Sequence, residues 1–330
     1  MNKLTFQFSC LVLMASTLSF GDVFTYGLKG YPKQDRSCYL QAKDIGHLFE
    51  SATQVKVVHV ECTAETETGY DFSVEYEAAT QLDFTSTDYK YGGVYPRGQY
   101  DTVKICEGKL PQQQELFEKA TGLKPVFIYC RKEEITQNRA WEVIITAVGK
   151  PQLTPTLGGF LLFTKPQNIT YEELFNDLKT SLEKRGTLLS NLVFHSRFPM
   201  VEASIHYYSN QYHNFDLDHV TKVPSIEVCL AQAAEAKGWF KNSEGGPFSI
   251  FCGGPEFGEF ELNLGTIDTP SFSYQNSVDK FNSFEECELS KKDIIKHYSG
   301  STTKQILGGL CSRSFETAKY HVVIFKQSKK

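Results

Sequence analysis

Histidine and carboxylate side chains, which can bind metal ions or exchange protons, are concentrated in residues 206–219. Alternation along a strand containing Ile205 and Tyr207 places His206 on the opposite, outward face. The spacings match no established ligand pattern, so the stretch is interpreted as a solvated connector that contributes binding residues. We predict no bound metal and no cofactor. The candidate binding residues are His206, His213, Asp216, Asp218 and His219, which include three of the eight histidines.

Sequence motifs of the common enzyme classes are absent from the chain. It has no phosphate-binding glycine loop, zinc-protease helix motif, nucleophile elbow or EF-hand loop. We therefore expect a binding or structural protein, whose partner is an extracytoplasmic protein or a glycan. The alternative is an extracellular or periplasmic hydrolase with a site between repeats near residues 206–219.

Cysteines recur along the chain at a nearly constant spacing. Excluding Cys10, eight remain, and they form four successive pairs separated by 24, 24, 23 and 24 residues. A helix of about 12 residues advances roughly 18 Å, and a strand of six or seven residues returns about as far, which brings both cysteines together. Thiolates that bind a metal would need close C-x-x-C pairs, and the chain has none. The predicted disulfides are Cys38–Cys62, Cys106–Cys130, Cys229–Cys252 and Cys287–Cys311.

Hydrophobic periodicity between and after the cysteines predicts a β-α-β-β repeat. Each pair of cysteines encloses a helix and then a strand, and an alternating strand follows the second cysteine. A short strand is expected to lead into the first cysteine, as in residues 102–105 and 225–228. Pro111 is expected to begin the helix of the second repeat. Ser290 and Asp293 are expected to cap the helix of the last one.

A further repeat without cysteines is predicted between Cys106 and Cys229, which are 123 residues apart, about twice the usual period. Thr170 and Glu173 form a capping box before an apolar stripe at helical spacing. The stripe consists of Tyr171, Leu174, Phe175, Leu178 and Leu182.

The predicted fold class is therefore α+β, with five tandem β-α-β-β repeats whose helices pack on antiparallel sheets. The expected bounds are 22–80, 81–152, 153–222, 223–270 and 271–330. The repeats could pair into compact domains or close into a ring. Such a ring resembles the α/β-propeller of the penteins in unit count and strand–helix order only, and that resemblance implies no activity.

The N-terminus has the features of a secretory signal peptide at residues 1–21. Lys3 precedes a mostly apolar run, and Gly21 precedes the acidic Asp22. An uncleaved anchor is the alternative. We expect a secreted or periplasmic protein that is not an integral membrane protein after cleavage. A composition of 41% hydrophobic and 22% charged residues indicates a folded chain, and the net charge of −5 argues against nucleic-acid binding.

Acidic residues are concentrated in a predicted hairpin around Gly69. They are interpreted as the solvated face of a half-buried strand pair, although a cationic partner or calcium is an alternative. The residues are Glu61, Glu65, Glu67, Asp71, Glu75 and Glu77.

Overall fold

The structure is a computed structural model that describes most of the chain after the predicted signal peptide. The described residues are 21–34, 36–88, 100, 102–132, 141–197, 200–241, 245–256, 258–268, 270–301, 304–314 and 316–327. The predicted signal peptide lies outside them except for Gly21. They form two compact bodies that divide between Asp83 and Phe84. Among the described helices, none is both long and apolar enough to cross a membrane.

Helices and strands follow the same order in each repeat. The helices are α1 (Cys38–Thr53), α2 (Val103–Thr121), α3 (Tyr171–Glu183), α4 (Ile226–Phe240) and α5 (Phe284–Ser301). The strands are β1 (Asp22–Pro32), β2 (Lys56–Glu65) and β3 (Gly69–Ala78) in repeat 1; β4 (Phe84–Ser86), β5 (Pro125–Lys132) and β6 (Trp141–Val148) in repeat 2; β7 (Thr154–Thr164), β8 (Leu188–Arg197) and β9 (Met200–Ser209) in repeat 3; β10 (Phe215–Val223), β11 (Ser249–Glu256) and β12 (Glu259–Ile267) in repeat 4; and β13 (Phe272–Asn276), β14 (Gln305–Arg313) and β15 (Tyr320–Gln327) in repeat 5.

Each repeat contains one three-stranded antiparallel sheet with its third strand in the centre. The sheet orders are β1-β3-β2, β4-β6-β5, β7-β9-β8, β10-β12-β11 and β13-β15-β14. The outer two strands run in the same direction because both are antiparallel to the central one, and the helix connects them. The predicted α+β fold with five β-α-β-β repeats is confirmed.

The four predicted disulfides are also confirmed. Each joins the first turn of a helix to the strand that follows it, with Cα–Cα distances of 6.0 or 6.1 Å. The returning strand ends beside the helix start, as the lengths of the two elements require.

The sequence suggested that the first strand of a repeat lies directly before its first cysteine. The structure shows a different arrangement. Residues 103–105 belong to α2 and residues 226–228 belong to α4. The side chains of Thr102 and Ser225 accept hydrogen bonds from the N–H groups of Ile105 and Val228, which starts each helix earlier than predicted. The first strands lie further upstream, so β10 pairs within repeat 4 although the expected boundary was residue 223.

Two predicted helix starts are wrong for the same reason. Pro111 lies inside α2 rather than at its beginning. Ser290 and Asp293 lie inside α5, whose start is set by Ser283: its hydroxyl accepts a hydrogen bond from the N–H of Glu286 at 3.1 Å.

Repeat 3 has the predicted capping box, formed by Thr170 and Glu173. Its helix buries Leu174, Leu178 and Leu182. Leu174 follows the capping residue by four positions, as Cys106 follows Thr102 in repeat 2. A leucine therefore lies where repeats 2, 4 and 5 have a half-cystine, and apolar packing replaces the disulfide.

Within residues 84–330, helices and sheets alternate in chain order. Helix α3 is buried between the sheet of repeat 3 and that of repeat 4, which contributes Leu217, Phe251 and Ile267 to the same core. Helix α4 is buried in the same way against Leu310 and Phe325 of repeat 5. Repeats 2 to 5 thus pack on their neighbours in sequence, as repeats do in solenoid proteins, and these four repeats form one body rather than separate pairs.

Candidate functional site

The side chain of His213 lies in a chain of polar groups between repeats 3 and 4. Its Nε2 is 2.8 Å from the hydroxyl of Thr187, and its Nδ1 is 2.9 Å from a carboxylate oxygen of Asp268. The Thr187 hydroxyl donates in turn to Ser209 at 3.0 Å. A hydroxyl, an imidazole and a carboxylate in this order form the arrangement that activates a nucleophile in many hydrolases.

Burial limits what this chain of groups can do. Thr187 is 0% exposed and His213 is 2% exposed, so protein atoms enclose both side chains in this structure. The contacts instead join separate elements. The carboxylate of Asp268, just after β12, accepts the N–H of Asn214 at 3.1 Å, and Tyr207 in β9 accepts the N–H of His213 at 2.9 Å. This arrangement fixes the connector between β9 and β10 at His213, whereas its other residues, 210–212 and 214, are exposed as the sequence suggested. The rest of the 206–219 stretch belongs to the two strands.

The expectation that His206 points outward into solvent is wrong, because this residue is 1% exposed. It lies on the face of β9 opposite Ile205 and Tyr207, as alternation predicts. That face is covered, however: Tyr208, which is also on it, packs edge-on against Phe117 of α2 at 6.2 Å between ring centroids. In a stack of repeats, a sheet is buried on both faces.

The other three candidate residues lie on β10, an edge strand of its sheet. Asp216 and Asp218 are two positions apart and share a face. The hydroxyl of Tyr274 in β13 donates to Asp218 at 3.0 Å. Burial and the neighbouring Asp216 raise the pKa of the Asp218 carboxyl, and burial with the Asp218 charge raises the pKa of Tyr274. The tyrosine therefore stays protonated and donates to the carboxylate.

His219 lies on the other face of β10 and contacts a nearly buried carboxylate. Its Nδ1 is 3.1 Å from Glu261, which Lys222 also contacts at 3.1 Å. Burial would raise the pKa of Glu261, but hydrogen bonds from His219 and Lys222 lower it below its ordinary value. Glu261 thus remains ionised and accepts hydrogen bonds from two side chains of the neighbouring strand.

The five candidates therefore do not meet in one site. Sequence reasoning also missed their partners Thr187, Asp268, Tyr274 and Glu261. No local signal marks these partners, since Thr187 and Asp268 are 26 and 55 residues from His213. Only the pairing of strands brings them together.

Metal ligation finds no support among the described residues, where no group of three or more His, Cys, Asp or Glu side chains is placed to hold an ion. Comparisons with protein-family models, curated proteins and solved structures returned no match. Function must therefore be inferred from the geometry of this chain alone.

Proposed function

We propose that the protein is an exported, non-catalytic binding protein. Its disulfide-stapled repeats form a frame that presents the edge of β10, with Asp216, Asp218 and His219, to an extracytoplasmic protein or a glycan. The residues 206–219 are then divided between two roles. His206 and His213 support the frame, and the residues on β10 contact the partner.

The observation that carries this proposal is the composition of the surface around β10. Tyr212, in the connector before it, is 62% exposed, and Tyr274 beside Asp218 is 38% exposed. Exposed tyrosines offer a rigid apolar ring and a polar hydroxyl, and this residue type is enriched where proteins bind partners. Carboxylates beside them add hydrogen-bond acceptors that fix orientation.

Four disulfides support the assignment to an oxidising compartment. Expression of the full chain with its own N-terminus tests export directly. The intact mass of the exported protein should correspond to a chain beginning at Asp22, lighter by two hydrogens for each of four disulfides. An exported chain that retains residues 1–21 would instead support the uncleaved anchor.

Hydrolysis is the competing function, because Thr187, His213 and Asp268 have the order of a catalytic triad. The test measures cleavage of fluorogenic ester, peptide and glycoside substrates by the purified protein. The variant is Thr187→Val, which removes the hydroxyl and keeps the shape of the side chain. Thr156→Val is the control, since it makes the same substitution at a threonine of β7 that lies outside the triad-like chain.

We expect the protein and both variants to cleave no substrate faster than buffer does. Turnover that disappears in Thr187→Val and persists in Thr156→Val would overturn the proposal in favour of a hydrolase. Circular dichroism of each variant establishes that a loss of turnover does not reflect unfolding.

A further inference from the structure

Repeat 1 contains a cleft of about 440 Å³ between the end of β1 and helix α1. Tyr31 and Gln34 line it from the β1 side, and Gln41, Asp44, Ile45, His47 and Leu48 line it from the helix. The size lies within the range of small-ligand sites, and the lining combines apolar side chains with a few polar groups. None of these residues belongs to the set at residues 206–219.

The side-chain amide of Gln41 lies in this cleft with only one of its two ends in a hydrogen bond. The residue is 2% exposed, and its amide nitrogen donates to the carbonyl of Pro32 at 2.7 Å. Among the described residues, none donates a hydrogen bond to its Oε1. A buried acceptor without a donor is destabilising, and a ligand with an N–H group would supply the missing hydrogen bond.

Repeat 4 provides an internal comparison, because Gln232 also lies three positions after the first cysteine of its repeat. Its Oε1 accepts a hydrogen bond from the hydroxyl of Thr221 at 2.9 Å, and its amide nitrogen donates to the carbonyl of Cys311 at 2.7 Å. Both ends of that amide are satisfied within the protein. In repeat 1, the corresponding acceptor remains available for a group from outside.

The charge of repeat 1 indicates which kind of donor it attracts. Residues 22–83 contain 5 basic and 11 acidic residues, whereas residues 84–330 contain 28 of each. The acidic excess of the mature chain is thus confined to this repeat. Negative potential over a small surface raises the local concentration of cations.

We propose that the cleft binds an ammonium or guanidinium group on a short apolar stem, as in a lysine or arginine side chain. The cation lies between the Gln41 Oε1 and the carboxylate of Asp44, and the stem packs on Ile45 and Leu48. Asp44 already contacts Arg36 at 2.6 Å, but both side chains are more than half exposed. Such an exposed pair is weak, so a ligand can join it or replace it.

The hydroxyl of Tyr31 adds a neutral donor and acceptor at the edge of the site. Burial raises its pKa, and the charge of Asp44 raises it further. Leu48 is 47% exposed, which leaves apolar surface for a stem to cover.

The experiment follows the side-chain amide signals of Gln34 and Gln41 by NMR in the ¹⁵N-labelled chain that begins at Asp22. Four probes are titrated: butylguanidinium, the neutral butylurea of the same shape, N-acetylglucosamine, and the capped peptide acetyl-Ala-Arg-Ala-amide. The first two separate charge from shape. The peptide distinguishes a side chain of a protein partner from a free small cation.

We expect saturable shifts with butylguanidinium, at an affinity at least about tenfold above that of butylurea. Tighter binding of the peptide assigns the site to a partner chain, and equal binding assigns it to a small cation. Asp44→Asn should weaken butylguanidinium binding by about tenfold. The matched control Glu61→Gln removes an equal charge from exposed strand β2 and should change the affinity by less than about twofold.

Three results would overturn the proposal. Equal losses in Asp44→Asn and Glu61→Gln would show general attraction by the acidic repeat rather than a site. Absence of saturable shifts, or equal binding of butylurea, would exclude a cation site. Binding of N-acetylglucosamine alone would identify a glycan site. Because Asp44 is exposed, its variant retains the fold, and because no outcome involves β10, failure here leaves the proposed function standing.

Discussion

At the scale of single residues, the side chain of His213 joins three parts of the chain that are far apart in sequence. Its ring contacts Thr187 before β8 and Asp268 after β12, and its backbone donates to Tyr207. A buried imidazole with both nitrogens in polar contacts fixes those groups in place. Removing it takes one hydrogen-bond partner from the buried hydroxyl of Thr187 and one from Asp268, and it leaves a cavity, all of which lower stability.

The variant His213→Ala is therefore expected to lower the free energy of unfolding by about 2–4 kcal/mol, from the lost hydrogen bonds and the cavity left behind. Urea denaturation measures this change. His59→Ala is the control, because His59 is exposed on β2 and should change stability by no more than about 0.5 kcal/mol. Equal effects of the two substitutions would show that the polar contacts of His213 do not stabilise the fold.

The sequence could not show which faces of the strands are covered by neighbouring elements. Alternation correctly separated His206 from Ile205 and Tyr207, but it could not show that α2 covers the face with His206. Partners such as Asp268 depend on which strands pair, and this is set by packing across the whole repeat. Local patterns contain no such information, so the candidate residues were found without their contacts.

At the scale of elements, a serine or threonine cap sets where each of four helices begins. Thr102, Thr170, Ser225 and Ser283 each accept a backbone hydrogen bond from the residue three positions later. In three of these helices, a half-cystine follows the cap by four positions. In α3, Leu174 lies there and is 1% exposed. Packing of this leucine is the counterpart of the disulfide.

Leu174→Ala should consequently lower the free energy of unfolding by about 2–5 kcal/mol, as large-to-small changes in a core do. Phe175→Ala is the comparison on the same helix. Phe175 is only partly buried against the same core, so its loss should be smaller. Guanidinium denaturation of both variants measures the difference. A larger effect of Phe175→Ala would place the helix differently on its sheet.

The helices and the strands after them were predictable because they are long and periodic. The nearly constant cysteine spacing also showed that the same helix and strand recur in each repeat. The first strands of repeats 2 and 5 were not predictable. Strand β4 has three residues and β13 has five, which is too short for alternation to be visible. Residues 102–105 and 225–228 also contain β-branched side chains, which resemble a strand although their caps place them in helices.

At the scale of the whole molecule, cores are shared between neighbouring repeats within residues 84–330. The core around α4 includes Cys229 and Cys252 of repeat 4 together with Leu310 and Phe325 of repeat 5. The stability of such an array is a sum of repeat and interface terms. Repeat 1 lies in the other compact body, where its central strand β3 alternates between buried and half-exposed residues.

Removal of a disulfide should therefore destabilise neighbouring repeats in one body and only repeat 1 in the other. The double variant Cys229→Ala/Cys252→Ala is expected to lose roughly 2–4 kcal/mol of stability. It should speed amide hydrogen exchange in repeat 4 and also in β14 and β15, because these strands bury side chains against α4. Peptide-resolved exchange by mass spectrometry measures each repeat separately.

The matched double variant Cys38→Ala/Cys62→Ala removes a disulfide that closes a loop of nearly the same length, 24 residues against 23. The loss of loop-closure entropy is then about equal in the two variants. Any difference in which repeats show faster exchange therefore reflects packing shared between repeats. We expect faster exchange only within residues 22–83, because repeat 1 lies in a compact body of its own, in which the rings of Phe49 and Tyr76 pack on each other. Faster exchange in β14 and β15 with this variant, or unchanged exchange there with the first, would contradict a stability transmitted between adjacent repeats.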